Sequence, residues 1–272
     1  MEKIRTTTEC NITINDVSIS YNDYGTGIMP IIFLHGFPFD KTSWQPQMES
    51  LKQTHRVIAY DIRGFGKSTA GKSAPTIRLF ADDLIQFMDG LSINKAIVCG
   101  LSMGGYILLD AISRYPNRFE AIVLCDTQCI ADSEETKEKR NQTILQIKAN
   151  GLKSFAQGFI KNIFCQESSD KKKELVEKIN QIILSTPFDS IVGTLGALTE
   201  RENTCLTLDE IAVPTLILCG KEDIVTVPEQ SEFLQDNIPD STLYIIDKAG
   251  HLSNLEQSGE FNQHLTNFIS GI

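Results

Sequence analysis

The chain is short of the residue types that several functional classes require. Histidine occurs only four times in 272 residues, and tryptophan once. Basic residues are outnumbered, 25 Lys and Arg against 35 Asp and Glu, for a formal net charge of -10. Such a surface repels a phosphate backbone on average, so no nucleic-acid partner is expected. No apolar run approaches the roughly 20 residues of a membrane-crossing helix, so no membrane role is expected either. The first residues, "MEKIRTTTECNITIN", contain no apolar core of signal-peptide length. The seven cysteines show neither zinc-site nor redox-pair spacing. Cys99, Cys125 and Cys219 each sit near the end of an apolar run and read as small core residues, so a reducing cytoplasm is the expected location.

What remains is an ordinary globular composition, 41% hydrophobic and 22% charged, in a chain long enough to bury a sizeable core. Apolar runs rich in β-branched residues recur at 31–36, 55–61, 95–100, 120–126, 215–220 and 241–247. They are continuous rather than alternating, as in strands covered on both faces. Helical patterns fall between or after them at 42–52, 76–91, 103–115, 229–237 and 257–270. "NITIND" and "VSISYNDYG" read as an antiparallel hairpin at a sheet edge. The expectation is an α/β fold: a mostly parallel sheet of about eight strands with helices on both faces.

The alternation stops between residues 128 and 208. That stretch, with "SEETKEKR" and "SSDKKKELVEKI", carries helical spacing and no strong strand. It reads as a helical insertion after the sixth strand, dividing a core of residues 1–127 and 209–272. Its apolar residues Phe155, Phe159, Ile160, Phe164, Ile183 and Leu184 are expected to face the sheet across a cleft.

The most informative stretch is "IVCGLSMGGY" (97–106), where Gly100-Leu101-Ser102-Met103-Gly104 forms G-x-S-x-G between a predicted strand and a predicted helix. A sharp strand-to-helix turn strains the serine backbone, and side chains two positions to either side would collide, so Gly100 and Gly104 suit such an elbow. A plain structural turn would use the same glycines; the strand before and the helix after favour a nucleophile.

A serine hydroxyl needs a base. His35 ends a strand inside a tight loop and reads as structural, His55 as exposed, and His264 as part of a solvated helix face. His251, in "DKAGHLSNLE", follows the last strand at the carboxyl edge of the sheet. The base in turn needs an acid. Asp223, in "CGKEDIVTVP", is preferred, with Asp126 after "EAIVLC" as its rival. Asp61 reads as a brace of its own loop. Donors for a developing oxyanion are expected from the backbone N–H groups of Phe37, in "HGFP", and of Met103. Leu101, Trp44 and Tyr106 are candidates for the pocket wall, each with an equal claim to the core.

These stretches together, "FLHGFPFDKTSW", "AYDIRGFGKS", "CGLSMGGY", "GKEDIVTVP" and "AGHLSNLE", resemble the α/β-hydrolase superfamily, in family order and over nearly all the chain outside the insertion. The likeness is to its small cap-bearing serine esterases and enol-lactonases. It implies Ser102 as nucleophile, Asp223 as acid, His251 as base, Phe37 and Met103 as oxyanion donors, and 128–208 as the cap. It also implies a small ester or lactone substrate and no cofactor or metal. Haloalkane dehalogenases and epoxide hydrolases of this fold use an aspartate nucleophile, which this chain lacks at the elbow. A cofactor-free perhydrolase of the haloperoxidase type, a C–C bond hydrolase, and a ligand-binding protein on the same scaffold stay open as alternatives.

Overall fold

The computed structural model describes residues 5–272, with side chains from residue 9 onward. The chain opens with two long strands, β1 (Arg5–Ile14) and β2 (Val17–Gly25). Strands and helices then alternate: β3 (Ile31–Leu34), α1 (Gln45–Leu51), β4 (Val57–Tyr60), α2 (Ile77–Gly90), β5 (Ala96–Leu101), α3 (Met103–Arg114) and β6 (Phe119–Cys125). Five helices follow: α4 (Glu134–Asn150), α5 (Leu152–Ile163), α6 (Gln166–Lys171), α7 (Lys173–Ser185) and α8 (Phe188–Thr199). The chain then resumes with β7 (Thr215–Gly220), α9 (Pro228–Asn237), β8 (Ser241–Ile246), α10 (Ser253–Glu256) and α11 (Ser258–Ile269).

The eight strands form one sheet in the order β1-β2-β4-β3-β5-β6-β7-β8. β1 and β2 pair antiparallel, as do β2 and β4, while β3 to β8 run parallel. The expected hairpin therefore forms the sheet edge. β3, β4, β5 and β7 are buried at every position, in keeping with their continuous apolar runs. β8 departs from the expectation. It is the opposite edge strand, its burial alternates, and Tyr244 is half-exposed.

Side chains alternate across the sheet and feed two cores. One, with Ile32, Leu34, Ile58 and Val98, packs against α2 and α3. The other, with Ile31, Phe33, Val57 and Ile97, packs against α1 and α11. Local signals set the helix starts: Thr76 caps α2 by accepting from Leu79 N, and Ser133 caps α4 by accepting from Thr136 N.

Because β6 and β7 are neighbours, the two ends of the insertion meet. There Cys129 and Cys205, 76 residues apart, form a disulfide. Sequence spacing offers no sign of it, because the two half-cystines are brought together only by strand order. The cytoplasmic expectation rests on free thiols; that premise holds for five of the seven cysteines and not for this pair. Among the described residues no single helix is long and apolar enough to cross a membrane.

Within the insertion, Phe155, Phe159 and Ile160 pack partly buried against the core, and Phe164 and Ile183 are buried. Leu184 does not turn inward: α7 buries Ile179, Ile182 and Ile183, and the next residue lies about 100° round the helix, at the surface.

Candidate active site

Ser102 sits between the end of β5 and the first turn of α3 with φ 52° and ψ -113°, an uncommon conformation for a residue other than glycine. Its surroundings explain the glycines. A Cβ on Gly100 would lie 2.4 Å from Gly104 O, and a Cβ on Gly104 2.4 Å from Leu34 O. Both clashes are with backbone, which cannot swing away. The turn is held by Ser102 N donating to Cys125 O (2.9 Å) and by Thr127 Oγ1 donating to Ser102 O (2.8 Å).

The loop after β8 carries His251 to this turn. His251 Nε2 lies 2.8 Å from Ser102 Oγ, and Nδ1 lies 2.8 Å from Asp223 Oδ2. Asp223, in the loop after β7, is itself fixed. Its Oδ1 accepts from Val225 N (2.8 Å) and Thr226 N (3.1 Å), and its Oδ2 from Thr226 Oγ1 (2.8 Å). All three side chains are buried, and Ser102 retains 8% exposure. Burial acts to raise the Asp223 pKa, but the His251 charge, the bond to it and the local donors outweigh this, leaving the carboxyl below its ordinary range. Burial likewise acts to lower the His251 pKa. The charge and hydrogen bond of Asp223, joined by Asp126 and Glu256, outweigh it and hold the imidazole above its ordinary value.

The "HGFP" loop lies directly over the elbow: a Cβ on Gly36 would come within 3.2 Å of Ser102 Cβ. Phe37, whose N–H is expected to face an oxyanion, is therefore next to the serine turn, and Met103 opens α3 on the other side. The Phe37 ring meets Phe65, Phe155 and Phe159 at centroid distances of 6.1, 6.3 and 6.2 Å, so helix α5 of the insertion reaches the site.

Two of the three candidate wall residues belong elsewhere. Trp44 is fully buried between Phe33 (4.9 Å) and Phe261 (6.1 Å), and Leu101 is fully buried in the same core; both are packing positions under the sheet. Tyr106 lies beneath the Arg201 guanidinium, 4.5 Å from its ring, and lines a cavity of about 210 Å³ with Ile77, Asp110, Gln128 and Cys129.

The other histidines fall into place. His35 is fully buried, with Nδ1 on Gly36 O (2.8 Å) and Nε2 accepting from Ile62 N (3.0 Å). Burial pushes its pKa down, as suits a neutral loop brace. His55 is half-buried rather than exposed, against Thr54 Oγ1. His264 stacks on Tyr244 at 3.9 Å. Asp61 ties its own loop to Lys41, accepting from Lys41 N and Nζ and from Lys67 N.

Asp126 is not beside His251 as the acid, nor is it at the surface. Its Oδ1 accepts from Gly220 N (2.8 Å), and its Oδ2 from Ser253 N (3.2 Å) and Oγ (2.6 Å). With Thr127 on Ser102 O, the end of β6 thus joins the serine, acid and base loops. Burial, with the nearby Asp223 charge, pushes the Asp126 carboxyl up to about 8. Nothing in a single sequence marks Thr127 or Glu256 for such a bracing role, because each is a common residue at a loop or helix end. Asp126, Cys219 and Asp223 bring ligand atoms within 4.8 Å of one another. Both carboxylates already accept from Gly220, Ser253, Val225 and Thr226. It is a brace rather than a metal site.

A family model described as alpha/beta hydrolase fold matches residues 29–258. The chain is 31% identical over 242 residues to 3-oxoadipate enol-lactonase 1 of Acinetobacter baylyi, covering 89% of each chain. It superposes on a thermophilic esterase from Thermogutta terrifontis with a TM-score of 0.92 at 32% identity, covering 97% of this chain and 99% of that one. It superposes on the enol-lactonase from Burkholderia xenovorans LB400 with a TM-score of 0.90 at 25% identity, covering 96% and 100%. With the sheet order, the elbow and these likenesses in agreement, the chain belongs to the α/β-hydrolase family of enzymes.

Proposed function

We propose that the protein hydrolyses a small carboxylic ester or lactone through an acyl-enzyme. The observation that carries this reading is the unbroken line from Ser102 Oγ through His251 to Asp223, each contact 2.8 Å. In this reading His251 Nδ1–H donates to Asp223 and Nε2 accepts the Ser102 proton. Ser102 Oγ attacks the carbonyl carbon, and the oxyanion accepts from Phe37 N–H and Met103 N–H. The tetrahedral species collapses to the ester of Ser102, and the His251 imidazolium protonates the departing alcohol oxygen. In a lactone that oxygen stays tethered to the acyl chain. Water, deprotonated by His251, then releases the acid.

The helices of 128–208 act as a cap in this reading. Phe155 and Phe159 beside Phe37 offer an apolar wall, which suits a small uncharged acyl or alkoxy group. The enol-lactonase and esterase relatives support the ester and lactone class. A cytoplasmic location is kept as part of the proposal. The Cys129–Cys205 bond pulls the other way, and thiol titration of protein isolated without reductant decides between seven free thiols and five.

The test is burst and steady-state hydrolysis of p-nitrophenyl acetate and butyrate, wild type beside Ser102→Ala. A burst in the wild type and turnover lower by at least about 10⁴ in the variant are expected. Equal rates in the two proteins would remove Ser102 from the chemistry. Acceleration by hydrogen peroxide with an acid substrate would assign the perhydrolase reaction instead.

A further inference from the structure

Glu256, at the end of α10, is fully buried, and no lysine or arginine pairs with its carboxylate among the described residues. Backbone donors hold it. Oε1 accepts from Gly250 N (2.8 Å) and, at 3.4 Å, from Leu252 N, the residues on either side of His251. Oε2 accepts from Cys165 N (2.9 Å), which belongs to the corner between α5 and α6 of the insertion. A buried carboxylate with backbone N–H partners is costly to leave unpaired, so both attachments are strong.

The same corner touches the base loop at two further points, and the residue after α6 adds a contact to the end of α10. His251 N donates to Ile163 O (2.9 Å). Cys165 Sγ lies 3.3 Å from Lys248 O, and Lys172 Nζ donates to Glu256 O. The fit is close: a Cβ on Gly250 would lie 2.7 Å from Cys165 N and 3.0 Å from Ile163 O. Helix α5, which ends at Ile163, carries Phe155 and Phe159 to the Phe37 ring over the elbow. The backbone that closes the aromatic wall and the backbone that carries the imidazole therefore share one carboxylate.

We propose that Glu256 is a positioning residue for His251 and couples it to the α5–α6 corner, so that seating of the insertion and alignment of the base are one event. The inference rests on the reading of His251 as base. Glu256 touches no reacting atom. It acts by setting the height of the 250–252 backbone and by adding negative charge near the imidazole alongside Asp223, which bonds it, while Asp126, pushed up to about 8, adds its charge only where it ionises.

Two variants separate the halves of the coupling. Glu256→Gln keeps the shape, removes the charge and leaves one backbone N–H facing an amide NH₂. Cys165→Pro removes the donor from the insertion together with the thiol. Cys165 already has φ -65°, and Phe164 before it is extended at φ -108°, ψ 144°, so the backbone accepts proline, while the ring Cδ takes the place of the N–H and forces the Glu256 Oε2 contact open. Cys165→Ala, which keeps the N–H and loses the thiol, is its reference.

The experiment is kcat, KM and the pH dependence of kcat/KM on p-nitrophenyl butyrate for these variants, with Ser102→Ala alongside and thermal melts for all. Glu256→Gln is expected to lower kcat about tenfold with little change in KM. It should also move the acid limb of kcat/KM to lower pH, because a negative charge that favours the imidazolium is gone. Cys165→Pro is expected to lower kcat about tenfold relative to Cys165→Ala while leaving the acid limb in place. A brace of purely structural importance would lower the melting temperature and leave the acid limb alone. Wild-type kcat and acid limb in Glu256→Gln overturn the positioning role, and equal kcat in Cys165→Pro and Cys165→Ala overturns the coupling. If Ser102→Ala also keeps full turnover, the triad reading itself has failed; if it is inactive, only this inference has.

Discussion

The carboxyl edge of the sheet and the helical insertion above it are built on different principles. At the sheet edge, backbone meets backbone. Gly100 and Gly104 have no room for a methyl group, Asp126 joins the acid and base loops, and Thr127 ties down the elbow. In the insertion, side chains meet side chains, unevenly from helix to helix: α8 buries seven of its twelve residues, among them Ile191, Leu195 and Leu198 in the core. Helix α4 fully buries only Ile147 of its 17 residues, with Ile144 partly buried beside it. Beyond this packing the insertion is tied at two places: the neck, with Cys129–Cys205 and the Asp132–Arg201 pair, and the α5–α6 corner on the base loop. In the proposed reaction the first region holds the reacting groups in place. Away from the α5–α6 corner, the second can change its inner surface without disturbing them, which is how one fold serves many substrates.

If that contrast is right, the largest loss comes from a change of one atom at the sheet edge. Asp223→Asn keeps size and burial but no longer holds the His251 tautomer, and kcat should fall about 10⁴-fold with the melting temperature little changed. The same pair fixes the pH response. The His251 pKa is raised above 6.5, so the imidazole stays protonated, and unable to take the Ser102 proton, further up the scale than a free histidine would. The kcat/KM of the wild type should therefore rise with pH through a midpoint above 6.5. A midpoint at or below that value would show that Asp223 does not bear on the base.

The neck is the next place to break the comparison. Cys129→Ser with Cys205→Ser opens a loop closed across 76 residues. Chain entropy for such a loop gives about 4.5 kcal/mol as an upper bound, and a loss of about 2–4 kcal/mol of unfolding free energy is expected from urea titration. Because the α5–α6 corner stays bonded to the 250–252 backbone through Glu256 without the neck, ester turnover per folded molecule should stay within about twofold of wild type. A collapse of turnover would mean that the neck, and not the sheet edge, aligns the serine loop.

The two regions also differ in how far they can be read from sequence. Strands buried on both faces leave unbroken apolar runs, and the elbow leaves a serine among glycines, so sheet, order of elements, Ser102, His251 and Asp223 are legible in the residues alone. The insertion leaves only helical spacing. Spacing does not say which way a helix turns, so Leu184 is misplaced although its neighbour Ile183 is not. Contacts made by strand order, such as Cys129 with Cys205, or through backbone N–H groups, as at Glu256, have no residue pattern to betray them. Trp44 and Leu101 are ambiguous for the opposite reason, because apolar character marks a core and a pocket wall alike.

Glycine offers the finest test of the contrast, since one substitution has opposite signs in the two regions. At Gly104 an added methyl meets Leu34 O at 2.4 Å, and Gly104→Ala must push β3 and α3 apart, destabilising by about 1–3 kcal/mol or more. Gly158 lies within α5, exposed, with no atom within 4 Å of a Cβ built there. Gly158→Ala therefore removes backbone freedom from the unfolded chain and disturbs nothing in the folded one. It should stabilise by about 0.4–1 kcal/mol. In a chain this long that raises the melting temperature by about 1–3 °C, with ester turnover unchanged. A fall in stability at Gly158 would mean that α5 needs its local looseness to seat the α5–α6 corner, and the insertion would then be as tightly specified as the sheet edge below it.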